Sequence, residues 1–355
     1  MNKKPKNKNI KDELMMEFKE FLAKEHTKFL SSFNLLNASL NGIIEDAVIL
    51  IYGREGSGKS TIAIQLIKSF IEKYPDNHAV IFLDAEGTTS EERIYDLLNI
   101  EEEINLLHLE KLVLEDVERI FNNFCLKCIE KNIHGLIIWD SLKQTPCSAK
   151  LKYSISDDKI ALEARMLSEF FEKIPSRLRD SNVTLIIINQ LMKNIQINKF
   201  TGTIKGSIGD KYDLDLPRGQ SQKFVASQAL LLNYLTDYDL LPGNIIRILP
   251  EKNKIGSPKK IVDLVLIFEI GFSDILSNIE FLRNYKYIEA KGSWIKIGDK
   301  KVQGRKDLIK KIYENSEIKN EYLKLLKIAL KEVYNFEGEI IFNEKEAELL
   351  YKLLK

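Results

Sequence analysis

The stretch Gly53-Arg54-Glu55-Gly56-Ser57-Gly58-Lys59-Ser60 constrains this chain more tightly than any other. It follows the apolar run Ala47 to Tyr52 and opens a helical pattern from Thr61 to Ile71. A G-x-x-x-x-G-K-[ST] loop between a strand and a helix turns backbone N–H groups toward phosphate oxygens, adds the positive end of the helix, and supplies an ammonium. The expectation is an ATP-binding loop cradled by Gly53, Arg54, Glu55, Gly56, Ser57, Gly58, Lys59, Ser60 and Thr61. Lys59 is its point charge, and the Ser60 hydroxyl is the candidate Mg²⁺ ligand.

Such a loop needs a sheet behind it. Ala47 to Tyr52, Ala79 to Leu83, Leu136 to Trp139 and Thr184 to Ile188 are apolar at consecutive positions, as strands covered on both faces are. The fold class expected is α/β, with a mostly parallel central sheet flanked by helices. Gly135-Leu136-Ile137-Ile138-Trp139-Asp140 ends in a carboxylate. Its strand should lie beside the phosphate-loop strand and bring Asp140 to Ser60 and the metal. Beyond Lys223, the runs Phe224 to Tyr234, Ile245 to Leu249 and Ile261 to Ile270, with turns at Asp237 to Asp239 and Gly256 to Pro258, predict an antiparallel extension.

At 355 residues, one large domain with appendages is expected. Residues 1–33 read as a basic tail followed by an amphipathic helix from Ile10 to Phe33, with Leu14, Phe18, Phe21 and Leu22 at helical spacing. Residues 34–271 form the core, and 272–355 a small C-terminal domain with a Gly-containing hairpin-like stretch from Ile288 to Val302. Met192 to Gln222 shows no periodicity and holds four glycines, which suits a functional loop. No apolar run approaches the roughly 18 residues of a membrane span. Glu13, Glu17, Lys19 and Glu20 stand where a signal peptide would be apolar, so a cytoplasmic protein is expected. Cys125 and Cys128 sit in a helical pattern with no second pair to complete a metal site, and His108 and His134 flank strands; all four read as structural.

Whole-chain charge, 53 Lys plus Arg against 52 Asp plus Glu, decides nothing about a nucleic-acid partner. Local balance says more. Residues 286–311 carry nine basic side chains against three acids, and Lys300 and Lys301 stand in that cluster.

Several further stretches resemble the RecA family, in order and at similar spacing over roughly residues 34–311. Phe82-Leu83-Asp84-Ala85-Glu86 and Trp139-Asp140-Ser141 join the phosphate loop. Ala164-Arg165-Met166-Leu167-Ser168 through Asn182 to Gln190, Lys223-Phe224-Val225-Ala226-Ser227 and Lys252-Asn253-Lys254 follow. Ile288-Glu289-Ala290-Lys291-Gly292-Ser293-Trp294 with Val302-Gln303-Gly304 is similar to the small C-terminal domain of bacterial members. The later stretches are the specific ones, because many ATPases share the phosphate loop and the strand that ends in Asp140.

The resemblance implies a DNA-dependent ATPase that forms helical filaments of its own copies on single-stranded DNA and pairs it with homologous double-stranded DNA in recombination and repair. It implies that Glu86 polarises the attacking water, that Gln190 senses the γ-phosphate, and that Lys252 and Lys254 reach the γ-phosphate of a neighbouring subunit. Arg93 or Tyr95 would stack on adenine. DNA would meet two loops, near 148–159 and 193–219, the second offering Lys193, Lys199, Phe200, Lys205, Lys211 and Arg218, while Arg165 matches a phosphate-contacting position. The second loop is about ten residues longer than in bacterial members, so single contacts do not carry over. The alternatives are a RecA-fold motor of another kind, such as a helicase or KaiC-like ATPase, and a regulatory paralogue without turnover.

Overall fold

The computed structural model describes residues 27–100, 103–149, 157–193, 196–197, 204–205, 214–218 and 221–355. Short strands β1 (Lys28–Phe29) and β2 (Ile43–Ile44) pair with each other. The main sheet uses β3 (Val48–Gly53), β4 (His78–Asp84), β5 (Leu106–Glu110), β6 (His134–Asp140) and β7 (Val183–Gln190). Four two-residue strands follow in the second loop, β8 (Met192–Lys193), β9 (Gln196–Ile197), β10 (Ile204–Lys205) and β11 (Leu214–Asp215). They pair as β8 with β11 and β9 with β10. Then come β12 (Gln228–Tyr238), β13 (Gly243–Asn253), β14 (Val262–Ile267) and β15 (Gly271–Ser273).

The nine-stranded sheet runs β15-β14-β13-β12-β3-β7-β6-β4-β5. From β12 to β5 every pairing is parallel, and from β12 to β15 every pairing is antiparallel. The reason lies in β3, whose six residues are all buried. Ile49 and Ile51 face one hydrophobic cluster, while Val48, Leu50 and Tyr52 face the other, as the two-residue period of a strand requires. Helix Lys59–Lys73 closes the first face with Ile62, Ala63, Leu66, Ile67 and Phe70. Helices Leu114–Lys131 and Asp157–Ser181 close the second, Cys125 and Cys128 among their buried residues. Burial, then the neighbouring Cys125, pushes the Cys128 thiol up to about 12, as befits packing groups.

Four sequence expectations need correction. The strand carrying Asp140 does not lie beside the phosphate-loop strand: β7 stands between β3 and β6. Phe224 is not in a strand but in the short helix Ser221–Val225, and β12 runs from Gln228 to Tyr238, through the expected turn at Asp237. The amphipathic helix does not extend to Phe33, because Lys28–Phe29 is a strand and both Phe29 and Phe33 are buried in the core; the rest of that expected helix lies outside the described residues. The expected hairpin from Ile288 is a three-stranded meander of β16 (Glu289–Lys291), β17 (Trp294–Ile297) and β18 (Lys300–Gln303).

Helices Asp274–Asn284, Gly304–Glu314, Ser316–Tyr334 and Glu344–Leu353 complete the chain. Their apolar faces, including Leu276, Leu308, Tyr322, Leu326 and Leu350, join the cluster beneath helix Lys59–Lys73. Polar pins fix this junction. The Asn34 amide N–H donates to Asp274 Oδ1 at 2.7 Å, and Glu346 Oε1 accepts from the Ser273 hydroxyl at 2.6 Å and the Ile275 N–H at 3.0 Å. Among the described residues no helix is long and apolar enough to cross a membrane.

Candidate functional site

Strand β3 delivers the chain to the loop at Gly53. A Cβ there would stand 2.2 Å from the Leu232 carbonyl oxygen, so only glycine allows β3 and β12 to pair at that point. Gly58 sits at φ +79° directly before the helix Lys59–Lys73, where a side chain would also strike the Phe272 ring at 2.7 Å. The loop is tied to itself through one acceptor: the Ser57 hydroxyl and the Lys59 ammonium each donate to the Arg54 carbonyl at 2.8 Å. Burial lowers the Lys59 pKa, and the carboxylates of Asp140, Glu86 and Glu55 pull it back. A desolvated ammonium at a helix N-terminus is placed to receive polyphosphate.

Asp140 is buried at the end of β6, near enough to the Ser60 hydroxyl for that group to act on its carboxyl. The adjacency comes from the strand ends converging on one edge, although β7 lies between. Burial raises the Asp140 pKa to about 6; Glu86 and Asp84 add to the rise, and Ser60 and Lys59 oppose it. Two neighbouring hard oxygen donors suit Mg²⁺, which binds few protein ligands and keeps waters and phosphate oxygens for the rest. Ser60 and Asp140 are thus the groups that would hold it, Asp140 through water.

The raised pKa carries a stability prediction. A carboxyl whose folded-state pKa exceeds its ordinary 3.8 contributes stability that is present below the unfolded value and lost as pH rises through about 6. Asp140→Asn should therefore stabilise the nucleotide-free chain at neutral pH by about 2–3 kcal/mol, and the gain should vanish below roughly pH 4. Denaturant midpoints measured across that range check it.

Asp84 has a role that the sequence did not expose. Its buried carboxylate accepts the N–H groups of Glu86, Gly87, Thr88 and Thr89 at 2.8–3.0 Å, folding the segment after β4 into a tight loop. That loop presents Glu86, whose Oε1 accepts from the Ser141 hydroxyl at 2.8 Å. His108 lies behind, its Nε2 3.8 Å from Asp84. The signal available was an acid at a strand end followed by Ala-Glu-Gly-Thr-Thr, a run without bulky apolar residues that can wrap one carboxylate.

Gln190 ends β7 directly opposite Gly53. Its Nε2 donates to Glu55 at 3.3 Å, and its Oε1 accepts from the Lys143 ammonium at 2.6 Å. Arg93 is clamped across the loop, its guanidinium donating to the carbonyls of Phe268 and Glu269 at 3.0 Å each. Phe268, whose backbone carbonyl it holds, keeps its side chain 58% exposed. Tyr95 lies half-buried on the same helix, Glu91–Leu98.

The model of the RecA N-terminal domain matches residues 14–273, the phosphate loop, Glu86, Asp140 and Gln190 included. The chain belongs to the RecA family. It is 28% identical over 332 residues to Protein RecA of Mycoplasma mobile, covering 87% of this chain and 92% of that one. Protein RecA of Borrelia hermsii is 29% identical over 290 residues, 79% of this chain and 75% of the relative.

Within this RecA-family fold the remaining candidates divide. Lys252, in β13, donates its ammonium to the carbonyls of Lys223 and Phe224 at 2.9 and 2.8 Å, so in the single chain it closes the end of the short helix Ser221–Val225. The backbone N–H of Lys254 donates to the Ser227 carbonyl at 3.1 Å. Arg165 is exposed on helix Asp157–Ser181, beside Glu169. Arg218 is turned inward: its side chain, 12% exposed, pairs with Glu163 at 2.7 Å. Lys193 lies in β8 and Lys205 in β10, whereas Lys199, Phe200 and Lys211 lie outside the described residues. Lys300 pairs with Glu317, and Lys301 joins Glu289, Lys291, Trp294 and Lys296 around a groove of about 550 Å³.

Proposed function

We propose that this chain is a DNA-dependent ATPase that assembles as a helical filament on single-stranded DNA and pairs it with homologous duplex in recombination and repair. What carries the reading is the meeting of Lys59, Ser60, Glu86, Asp140 and Gln190 at one edge of a RecA-family sheet. In this reading the loop N–H groups and Lys59 hold the β- and γ-phosphates. Ser60 and Asp140 would hold Mg²⁺, which would supply neutralisation of the developing charge. Glu86, steadied by Ser141 and by the Asp84-capped loop, orients the attacking water. Gln190 reads the γ-phosphate at the start of the second loop, and Arg93 with Phe268 takes the adenine.

Negative-stain electron microscopy of the full chain with single-stranded DNA and a non-hydrolysable ATP analogue tests the assembly. Helical filaments support the reading; closed rings would assign the chain to another class of RecA-fold motor.

The groove at β16–β18 gives the duplex a place to bind. Three lysines around a half-exposed Trp294 suit a phosphate backbone. Changing Lys291, Lys296 and Lys301 to alanine should weaken duplex binding and flatten its salt dependence by about 0.9 in log–log slope per lost phosphate contact. Fluorescence anisotropy over a salt series measures this, and single-strand binding should be unaffected.

A further inference from the structure

The turn after β6 places a cation at the nucleotide site that no motif announces. Lys143 lies in a one-turn 3-10 helix, Leu142–Gln144. Its ammonium donates to Gln190 Oε1 at 2.6 Å, and the same amide donates to Glu55 of the phosphate loop at 3.3 Å. The turn is held from behind, because the Arg218 guanidinium donates to the Lys143 carbonyl at 3.1 Å and to Glu163 at 2.7 Å. Lys143 is thus a half-buried ammonium on a fixed backbone. Its one hydrogen-bond acceptor among the described residues is a neutral amide.

We propose that Lys143 is a γ-phosphate-binding residue supplied by the nucleotide-holding subunit itself, and that it makes the site distinguish ATP from ADP. This rests on the nucleotide reading above. Two chemical facts favour it. A neutral amide satisfies an ammonium less fully than an anion does, so a phosphate oxygen arriving beside Gln190 is the better partner. Lys143 also stands close enough to Lys59 for its charge to act on that ammonium, so both cations bear on the gap at the phosphate loop. Lys59 reaches it from the helix N-terminus and Lys143 from the end of β6. With ADP the gap holds no γ-phosphate, and Lys143 stays with Gln190. With ATP it gains an ionic partner, so its contribution appears in triphosphate affinity alone.

The test is equilibrium binding of a fluorescent non-hydrolysable ATP analogue and of fluorescent ADP to the full chain, as wild type, Lys143→Met and Lys143→Arg. The expected result for Lys143→Met is a loss of about tenfold or more in triphosphate affinity with ADP affinity unchanged. Lys143→Arg should keep most of the preference, since it keeps the charge. Matching unfolding midpoints show that the fold is intact. Equal loss for both nucleotides, or no loss for either, overturns the assignment of Lys143. Wild-type protein that binds neither nucleotide would instead overturn the nucleotide reading itself.

Discussion

Lys59→Ala is expected to weaken ATP binding by roughly a hundredfold, about 3 kcal/mol, and to abolish nucleotide-dependent DNA binding with it. The lysine is the loop's own charge, tethered to the Arg54 carbonyl at 2.8 Å until phosphate arrives. Removing it leaves the backbone cradle and the helix end, which together attract anions more weakly than a desolvated ammonium does. The fold should survive, because Lys59 is half-buried at the start of a helix whose core contacts begin at Ile62. Isothermal titration with ATP and Mg²⁺ measures the effect, with circular dichroism as the control.

The double substitution Lys252→Ala with Lys254→Ala should leave ATP binding by the single chain nearly intact and lower DNA-stimulated turnover by about a thousandfold, as loss of a finger residue does elsewhere. In the single chain Lys252 is occupied with the carbonyls of Lys223 and Phe224, and burial followed by the charge of Lys254 lowers its pKa. A neighbouring nucleotide offers that ammonium a charged partner in place of two neutral ones. Mixing this variant with Glu86→Gln should restore part of the turnover, since one of the two kinds of mixed interface joins an intact Glu86 face to an intact lysine face. Absence of recovery in filaments shown to contain both variants would place the lysines within their own subunit.

The parts of this protein that were legible in its sequence are those whose physics is local. β3 reads directly because six successive residues are buried, and the phosphate loop reads because its glycines, lysine and serine lie within eight positions. Sheet order was not legible in the same way. β3, β6 and β7 are equally apolar, so nothing in their composition says that β7 stands in the middle; long helical crossovers decide it. Long-range polar pairing was hidden as well. Arg218 looked like a DNA contact beside other basic loop residues, yet Glu163, 55 positions earlier, takes its guanidinium inside. Lys143 gave no signal because its role comes from Gln190, 47 positions away, and from a turn that no motif marks.

Steady-state ATP hydrolysis by the wild-type chain, with and without single-stranded DNA, bears most directly on the reading of this protein as a DNA-dependent ATPase. Lys59, Glu86 and Asp140 are in place within one chain, whereas the second of the loops that would answer to DNA follows Gln190, one hydrogen bond from the phosphate loop. The expected result is slow turnover alone and a steep rise on adding single-stranded DNA, lost again in Glu86→Gln. Turnover that is equal with and without DNA, or absent in both, would contradict it.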